Sequence, residues 1–381
     1  MIKNILQIIP SIDSGGVEKC VLTMNKYLVN NGYNSFVMAS GGKLLFQITN
    51  DGGKIIQLNV ATKNPISMFL NIFRIKKVLI ENKIDLVDVT SRAPAISTYF
   101  ACKKAKIPFI TSMHGNYSTG FLFKNWYNSF MSKGDFVVCV SNYIKQMALK
   151  RYNIFKQKYY NGMVEVVPRG VDEAIFDIEK VSSARKLNLL NKLNLPDDKQ
   201  IMLLPGRFTN WKGQLYFLDV LKHVKNKNYV CVMIGDAKKH PRYKKRIEKK
   251  IKKLNLKDFI RFEAPTNDMT SFYSISSFII SSSIRGESFG MISIEAQAME
   301  KIIIATAVGG SLETIIDKKT GYLVDPDDKK LFAKTIDKVL TMNLEEKNEI
   351  CKNARRHILE NFTINKMCEN TLNVYKKFNT L

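Results

Sequence analysis

Two kinds of apolar spacing alternate along the chain: short unbroken runs of aliphatic residues, and longer stretches in which apolar positions recur every three or four residues. The first kind reads as strands buried on both faces, the second as helices that cover them. Strand-type runs fall at 4–9, 34–39, 55–59, 85–90, 107–113, 136–141 and 163–167, and a second series follows at 201–204, 229–234, 259–263, 278–282, 302–305 and 322–324. Such alternation predicts parallel α/β layers. The chain has 381 residues, more than one hydrophobic core normally supports, so two domains are expected. The stretch from Gly170 to Lys199 is polar and carries the turn Pro196-Asp197-Asp198, which predicts a first domain over 1–172, a hinge over 173–198 and a second domain over 199–361. Beyond it, Ile364, Met367, Leu372, Val374 and Tyr375 give 362–381 helical spacing.

Chemistry-bearing residues collect where strand-type runs pass into helices. Behind Phe278-Ile279-Ile280 come three serines and then Ile284-Arg285-Gly286-Glu287-Ser288-Phe289-Gly290-Met291-Ile292-Ser293-Ile294-Glu295. Met291, Ile292, Ile294, Ala296, Ala298 and Met299 suit a buried helix, and Gly286 and Gly290 mark the turn before it. Glu287 then precedes the helix and Glu295 lies within it, separated by roughly 12 Å if the segment between is mostly helical. The N–H groups of Gly290, Met291 and Ile292, at the positive end of a helix dipole, would stabilise a diphosphate between the two acids. A second loop, Pro205-Gly206-Arg207-Phe208-Thr209-Asn210-Trp211-Lys212-Gly213, follows the run at 201–204. Two permanent cations there can neutralise the charge that builds on a departing diphosphate, so no metal is required. At the first strand, Gly15 and Gly16 open a helix and let a ligand approach the backbone. This is not G-x-G-x-x-G, which argues against NAD.

Together these segments resemble the E-x7-E signature of retaining glycosyltransferases of family 4, which have the GT-B architecture of two Rossmann-like parallel-sheet domains facing a central cleft. The resemblance covers nearly the whole chain. Gly206 to Gly213 is similar to the family's G-R-x-x-x-x-K-G loop, and Ile302-Ile303-Ile304-Ala305, Gly309-Gly310-Ser311-Leu312-Glu313 and Thr320-Gly321-Tyr322-Leu323-Val324 come in the family's order. It implies a transferase that moves a hexose-type sugar, with retention, from a nucleoside diphosphate sugar to a surface-glycan acceptor such as lipopolysaccharide or a lipid-linked saccharide. Arg207 and Lys212 would then hold the diphosphate, Glu295 the ribose and Glu287 the sugar hydroxyls, with Gly206, Phe289, Gly290, Met291 and Ile292 beside the donor. His114, in Thr111-Ser112-Met113-His114-Gly115, would contact the sugar from the first domain, Gly15 and Gly16 would shape the floor, and Arg92 and Arg169 are acceptor-side candidates. Neither cofactor nor metal is implied. The segment 362–381 would cross back to the first domain. The chain departs from the pattern at Glu300-Lys301-Ile302, at Ser277 and at Gly235-Asp236-Ala237.

Lysine and arginine number 59 against 34 acids, a formal charge of +25, which attracts anionic partners: nucleotide sugar, anionic membrane surface or nucleic acid. The densest run, 238–253, reads as a solvated basic helix face, whereas 143–160 interleaves cations with aromatics as interfacial helices do. Six cysteines without a C-x-x-C pair argue against zinc and disulfides and read as reduced core thiols. With no span-length apolar run and no signal-type start, a cytoplasmic protein, peripheral on the membrane's inner face, is expected. A nucleotide-sugar epimerase, and a basic protein that binds membrane or nucleic acid without catalysis, remain as alternatives. The full set of cations and glutamates speaks against the last.

Overall fold

The computed structural model describes residues 2–13, 15–117, 122–236, 238 and 240–379. Ser14 beside the Gly15-Gly16 pair, Ala237 and Lys239 lie outside them. The chain divides into two compact units, Met1–Arg169 with Ile364–Leu381, and Gly170–Thr363.

The first unit holds β1 (Asn4–Ile8), β2 (Asn34–Ala39), β3 (Lys54–Gln57), β4 (Leu86–Val89), β5 (Phe109–Met113), β6 (Phe136–Cys139) and β7 (Val164–Val166). They form one sheet in the order β3-β2-β1-β4-β5-β6-β7, with every pairing parallel. Ile5, Leu86, Ile110 and Val138 pack against Met24 and Leu28 of helix Gly16–Asn30 and against Met367, Leu372 and Tyr375 of helix Ile364–Lys376.

The second unit repeats the plan with β8 (Gln200–Pro205), β9 (Tyr229–Ile234), β10 (Ile260–Glu263), β11 (Phe278–Ser281), β12 (Ile302–Thr306) and β13 (Tyr322–Val324), ordered β10-β9-β8-β11-β12-β13 and again all parallel. Alternate residues of one strand serve opposite cores: Met202 and Leu204 join Cys231, Phe278 and Ile304 on one face, while Ile201 and Leu203 join Val232, Ile279 and Ile303 on the other. Burial on both faces is why these strands read as unbroken apolar runs. All thirteen runs are strands, with bounds within two residues of those expected.

Three expectations need correction. The segment 173–198 is not a hinge: it contains helix Ser183–Leu193, capped by the Ser182 hydroxyl accepting from the Arg185 N–H, and Val181, Leu189 and Leu193 lie in the second unit's core. The chain changes unit at 169/170 and again at 363/364. The stretch 143–160 is not one continuous helix either. It breaks at extended Tyr152 into Asn142–Arg151 and Asn153–Tyr160, and Tyr152 and Phe155 are buried while Tyr159 and Tyr160 are exposed. The third concerns the glutamates and follows below. The basic run does form a helix, Pro241–Lys253, with Tyr243, Ile247 and Ile251 buried. No described helix is long and apolar enough to cross a membrane.

In each sheet the order reverses beside the first strand of the unit, between β1 and β4 and between β8 and β11. Ligands of open parallel sheets lie outside the carboxyl ends of strands at such a reversal.

Candidate active site

Both loops at the second unit's reversal carry charge. From β8 the chain passes through Gly206 and Arg207 into the short turn Asn210–Lys212 and then helix Gln214–Leu221. Gly213 makes the join at φ +76°, and a Cβ there would lie 1.8 Å from the Ser282 carbonyl oxygen, so only glycine lets this loop close on the one after β11. Closure is held by the Ile284 N–H donating to the Trp211 carbonyl at 2.9 Å and the Ser282 hydroxyl donating to the Lys212 carbonyl at 3.0 Å. Lys212 Nζ then reaches Glu287 Oε1 at 2.7 Å, and the Ser283 hydroxyl donates to the same oxygen at 2.5 Å. Each side chain of the pair is only 11% exposed. Arg207 is exposed, and its guanidinium lies 5.8 Å from the centre of the Trp211 ring, which Lys212 Nζ approaches to 4.8 Å. One indole thus carries both cations.

The two glutamates are joined by a segment of which only the second part is helical. The helix runs only over Met291–Ala298, while Glu287 pairs as an isolated bridge with Gly309, so helical rise alone does not set their separation. Gly309, at φ +61°, would bring a Cβ within 2.5 Å of the Glu287 carbonyl, and the Gly310 N–H donates to that carbonyl at 2.9 Å. The glycine pair is the backbone clamp for Glu287. Gly290 caps the helix at φ +94°, and the first N–H groups beyond it, those of Met291 and Ile292, have no acceptor inside the helix. Phe289 turns inward, 3% exposed, with its ring 5.7 Å from that of Phe362. Only its backbone is placed to meet a ligand. Glu295 accepts from the Tyr273 hydroxyl at 2.8 Å, and burial, reinforced by this carboxylate, pushes Tyr273 well above the usual phenol value. Tyr273 and Ser283 are site residues that the sequence did not single out; Ser283 alone, four positions before Glu287, left a local signal.

The first unit's reversal is built differently. His114 follows β5, and burial, with a smaller push from Arg169, holds its imidazole well below the ordinary value, so the ring is neutral. Among the described residues, His114 Nδ1 and Arg169 Nε are both buried without a hydrogen-bond partner. They line a cavity of about 40 Å³ with Cys20, Asp88 and Tyr375. Asp88 accepts from the Ser112 hydroxyl at 2.8 Å and from the Tyr375 hydroxyl at 2.6 Å; burial raises it to about 6 against the pull of those bonds. Gly16 opens helix Gly16–Asn30 after Gly15, and a Cβ on it would lie 2.8 Å from the Arg169 guanidinium. Arg92 is occupied, donating to Asn128 at 2.9 Å and lying 4.7 Å from the Tyr117 ring centre.

Two Rossmann-like units, the second with two cations and a helix start at its switch point, define a glycosyltransferase of the GT-B class. Residues 14–175 match the model of Glycosyltransferase Family 4, and residues 186–357 that of Glycosyl transferases group 1. The crystal structure of a glycosyltransferase from Rickettsia africae ESF-5 is 34% identical with a TM-score of 0.90, over 99% of this chain and 98% of that one. Anabaena HepE, solved with UDP and glucose, shares the fold at 16% identity and a TM-score of 0.84, with both chains fully covered. The lipopolysaccharide 1,2-N-acetylglucosaminetransferase of Salmonella typhimurium is 25% identical over 217 residues, 55% of either chain. The matched stretch spans 53–59% of the length of several curated relatives. The chain belongs to glycosyltransferase family 4.

Proposed function

We propose that the protein moves a hexose-type sugar from a nucleoside diphosphate to a surface-glycan acceptor, with retention at the anomeric carbon and without a metal. The observation that carries this reading is the Lys212–Glu287 pair with Ser283, set beside Arg207 at the switch point of β8 and β11. Lys212 has further N–H donors beyond the one on Glu287, and with Arg207 and the helix start at Met291 it offers the charge that a departing diphosphate needs. Glu287 is a poor nucleophile, since one oxygen already accepts two hydrogen bonds. A covalent glycosyl-enzyme is therefore disfavoured, and the acceptor enters on the face from which the diphosphate leaves. Glu295 is assigned to the ribose and His114 to the sugar. The spacing in Asp325-Pro326-Asp327 does not argue for a metal, because the Asp325 carboxylate accepts from the Asp327 N–H at 2.8 Å in a local turn. HepE, whose solved form holds UDP and glucose, supports a nucleotide donor, and the Salmonella relative supports a lipopolysaccharide-type acceptor.

The test is a panel of nucleoside diphosphate sugars with saccharide and glycolipid acceptors in excess chelator, read by nucleoside diphosphate release and by proton NMR of the new linkage. Transfer with an unchanged anomeric configuration is expected. An inverted linkage overturns retention, and activity abolished by chelator and restored by manganese overturns metal independence. Complete conversion of a donor alone into its epimer overturns transfer itself.

A further inference from the structure

Glu295 sits in the second turn of helix Met291–Ala298, and its carboxylate accepts from the Tyr273 hydroxyl at 2.8 Å. A glutamate turns about several side-chain bonds, and the last of them has only a broad preference. To accept from two neighbouring hydroxyls of a ribose at once, the carboxylate must be turned to face them. Tyr273 supplies the constraint that the glutamate lacks. Its side chain turns about two bonds only, is 0% exposed, and lies in the core with Leu189 and Ile279, the Phe176 ring edge-on at 6.1 Å. Burial, then Glu295, then Glu287 keep the phenol protonated, so the hydroxyl is a fixed donor. Being neutral, it orients the carboxylate without cancelling the charge that strengthens a bond to a ligand hydroxyl. An ionised carboxylate has several acceptor positions, so the bond from Tyr273 does not exhaust them.

Tyr273 is itself held from outside the site. It lies on helix Met269–Ile275, whose start is capped by Asp268, accepting from the Ser271 N–H at 3.2 Å and from the Ser271 hydroxyl at 2.7 Å. Arg185 pairs with Asp268 and donates to the Thr270 hydroxyl at 3.0 Å. Arg185 belongs to helix Ser183–Leu193, in the segment whose polar sequence reads as a hinge. That segment acts as a brace instead: it fixes the helix that fixes Tyr273, and Tyr273 fixes Glu295.

We propose that Tyr273 is the positioning residue through which Glu295 reads the ribose diol, and that the donors are ribonucleoside diphosphate sugars to the exclusion of those built on 2′-deoxyribose. The inference rests on the assignment of Glu295 to the ribose. A carboxylate held in place for two hydroxyls is left underpaired when one is missing, whereas a loosely held one turns away to other partners.

The test is calorimetric binding of UDP and 2′-deoxy-UDP, with the corresponding GDP and ADP pairs alongside. It reads the ratio of the two affinities for the base that binds most tightly. Wild type should favour ribose on the order of tenfold or more, and Glu295→Ala should bring the ratio close to one. Tyr273→Phe, which removes a single oxygen from the core, should lower the ratio about fivefold while leaving the affinity for the deoxy form nearly unchanged. General loosening of the pocket would weaken both forms alike and leave the ratio where it was. Circular dichroism of each variant confirms its fold. If Tyr273→Phe does not fold, Arg185→Ala, at the half-exposed end of the brace, decides by the same ratio, which it should lower. A ratio unaffected by Glu295→Ala, or a wild type that binds both forms equally, takes the ribose away from Glu295 and the inference with it. A ratio lost in Glu295→Ala but intact in Tyr273→Phe keeps that assignment and overturns the role of Tyr273.

Discussion

At the carboxyl ends of β8 and β11 charge is kept and paired, whereas at those of β4 and β5 it is suppressed by burial. Lys212 and Glu287 face each other as ions with Ser283 completing the carboxylate's bonds, while His114 is held neutral and Asp88 is raised to about 6. The difference shows two ways of holding ionisable groups out of water: mutual pairing, which keeps a cation available for a ligand whose charge grows during a reaction, and burial beside the Arg169 guanidinium, which lowers His114 and raises Asp88. It also separates two sources of instability, since a paired site fails when one partner goes and a suppressed one fails when its charge returns.

The largest effect should come from Lys212→Ala. Losing one donor to a developing oxyanion reduces turnover by about 10²–10³, while donor affinity should change by less than about tenfold, because the interaction strengthens with the transition state. Steady-state kcat alongside calorimetric donor binding separates the two. A kcat within threefold of wild type would mean that the pair is merely structural.

Next comes the pH dependence of stability through Asp88. Its folded pKa, about 6, lies above the ordinary carboxyl value of 3.8. Its contribution is therefore fully present below the unfolded value and is lost as pH rises through about 6. The loss has an upper limit of about 3 kcal/mol, at 1.36 kcal/mol per pKa unit. His114, lowered by burial, works in the opposite sense, losing stability as pH falls below the ordinary histidine value. Denaturant unfolding of wild type and Asp88→Asn at pH 5 and pH 8 isolates the carboxylate. The asparagine protein should gain relative to wild type at the higher pH, and a constant difference between the two would sink the assignment.

The smallest effect tests a position outside either site. Glu300 holds φ +52°, a left-handed conformation that costs a side-chain residue roughly 1–2 kcal/mol, offset in part by the extra unfolded-state freedom of glycine. Glu300→Gly should raise stability by a few tenths to about 1 kcal/mol without altering turnover. A lower melting temperature would refute it.

What could be read from the sequence followed from burial. Strands such as Ile302–Thr306 are covered on both faces, so their composition states their structure. The loops after them were legible because glycine and charge sit at fixed offsets. Partners supplied by distant segments were not. Tyr273 meets Glu295 across 22 positions, and nothing along the chain marks that distance. The inward turn of Phe289 toward Phe362 is likewise a matter of packing. The helix Ser183–Leu193 went unseen because Leu189 and Leu193 are few among polar neighbours, although they suffice to seat it. The periodicity of Pro65–Glu81 shows an apolar helix but not that Phe69 and Leu70 face outward. Ser277, at a departure from the family pattern, is accounted for: its hydroxyl accepts from the Ile201 N–H at 3.2 Å.

The two points where the chain changes unit have a consequence for synthesis. Val171 bridges to Thr363, and its N–H donates to the Phe362 carbonyl at 2.8 Å, so the second unit enters and leaves at one place, as an insertion within the first. A ribosome delivers residues 1–169 early, but Tyr375, which covers Asp88, arrives only after the whole insertion. At about 5–20 residues per second, the nascent first unit waits on the order of 10–40 s with Asp88 uncovered and the apolar partners of Met367 and Leu372 open to water. The inserted unit, complete within one continuous stretch of chain, has every contact it needs before the older unit can close.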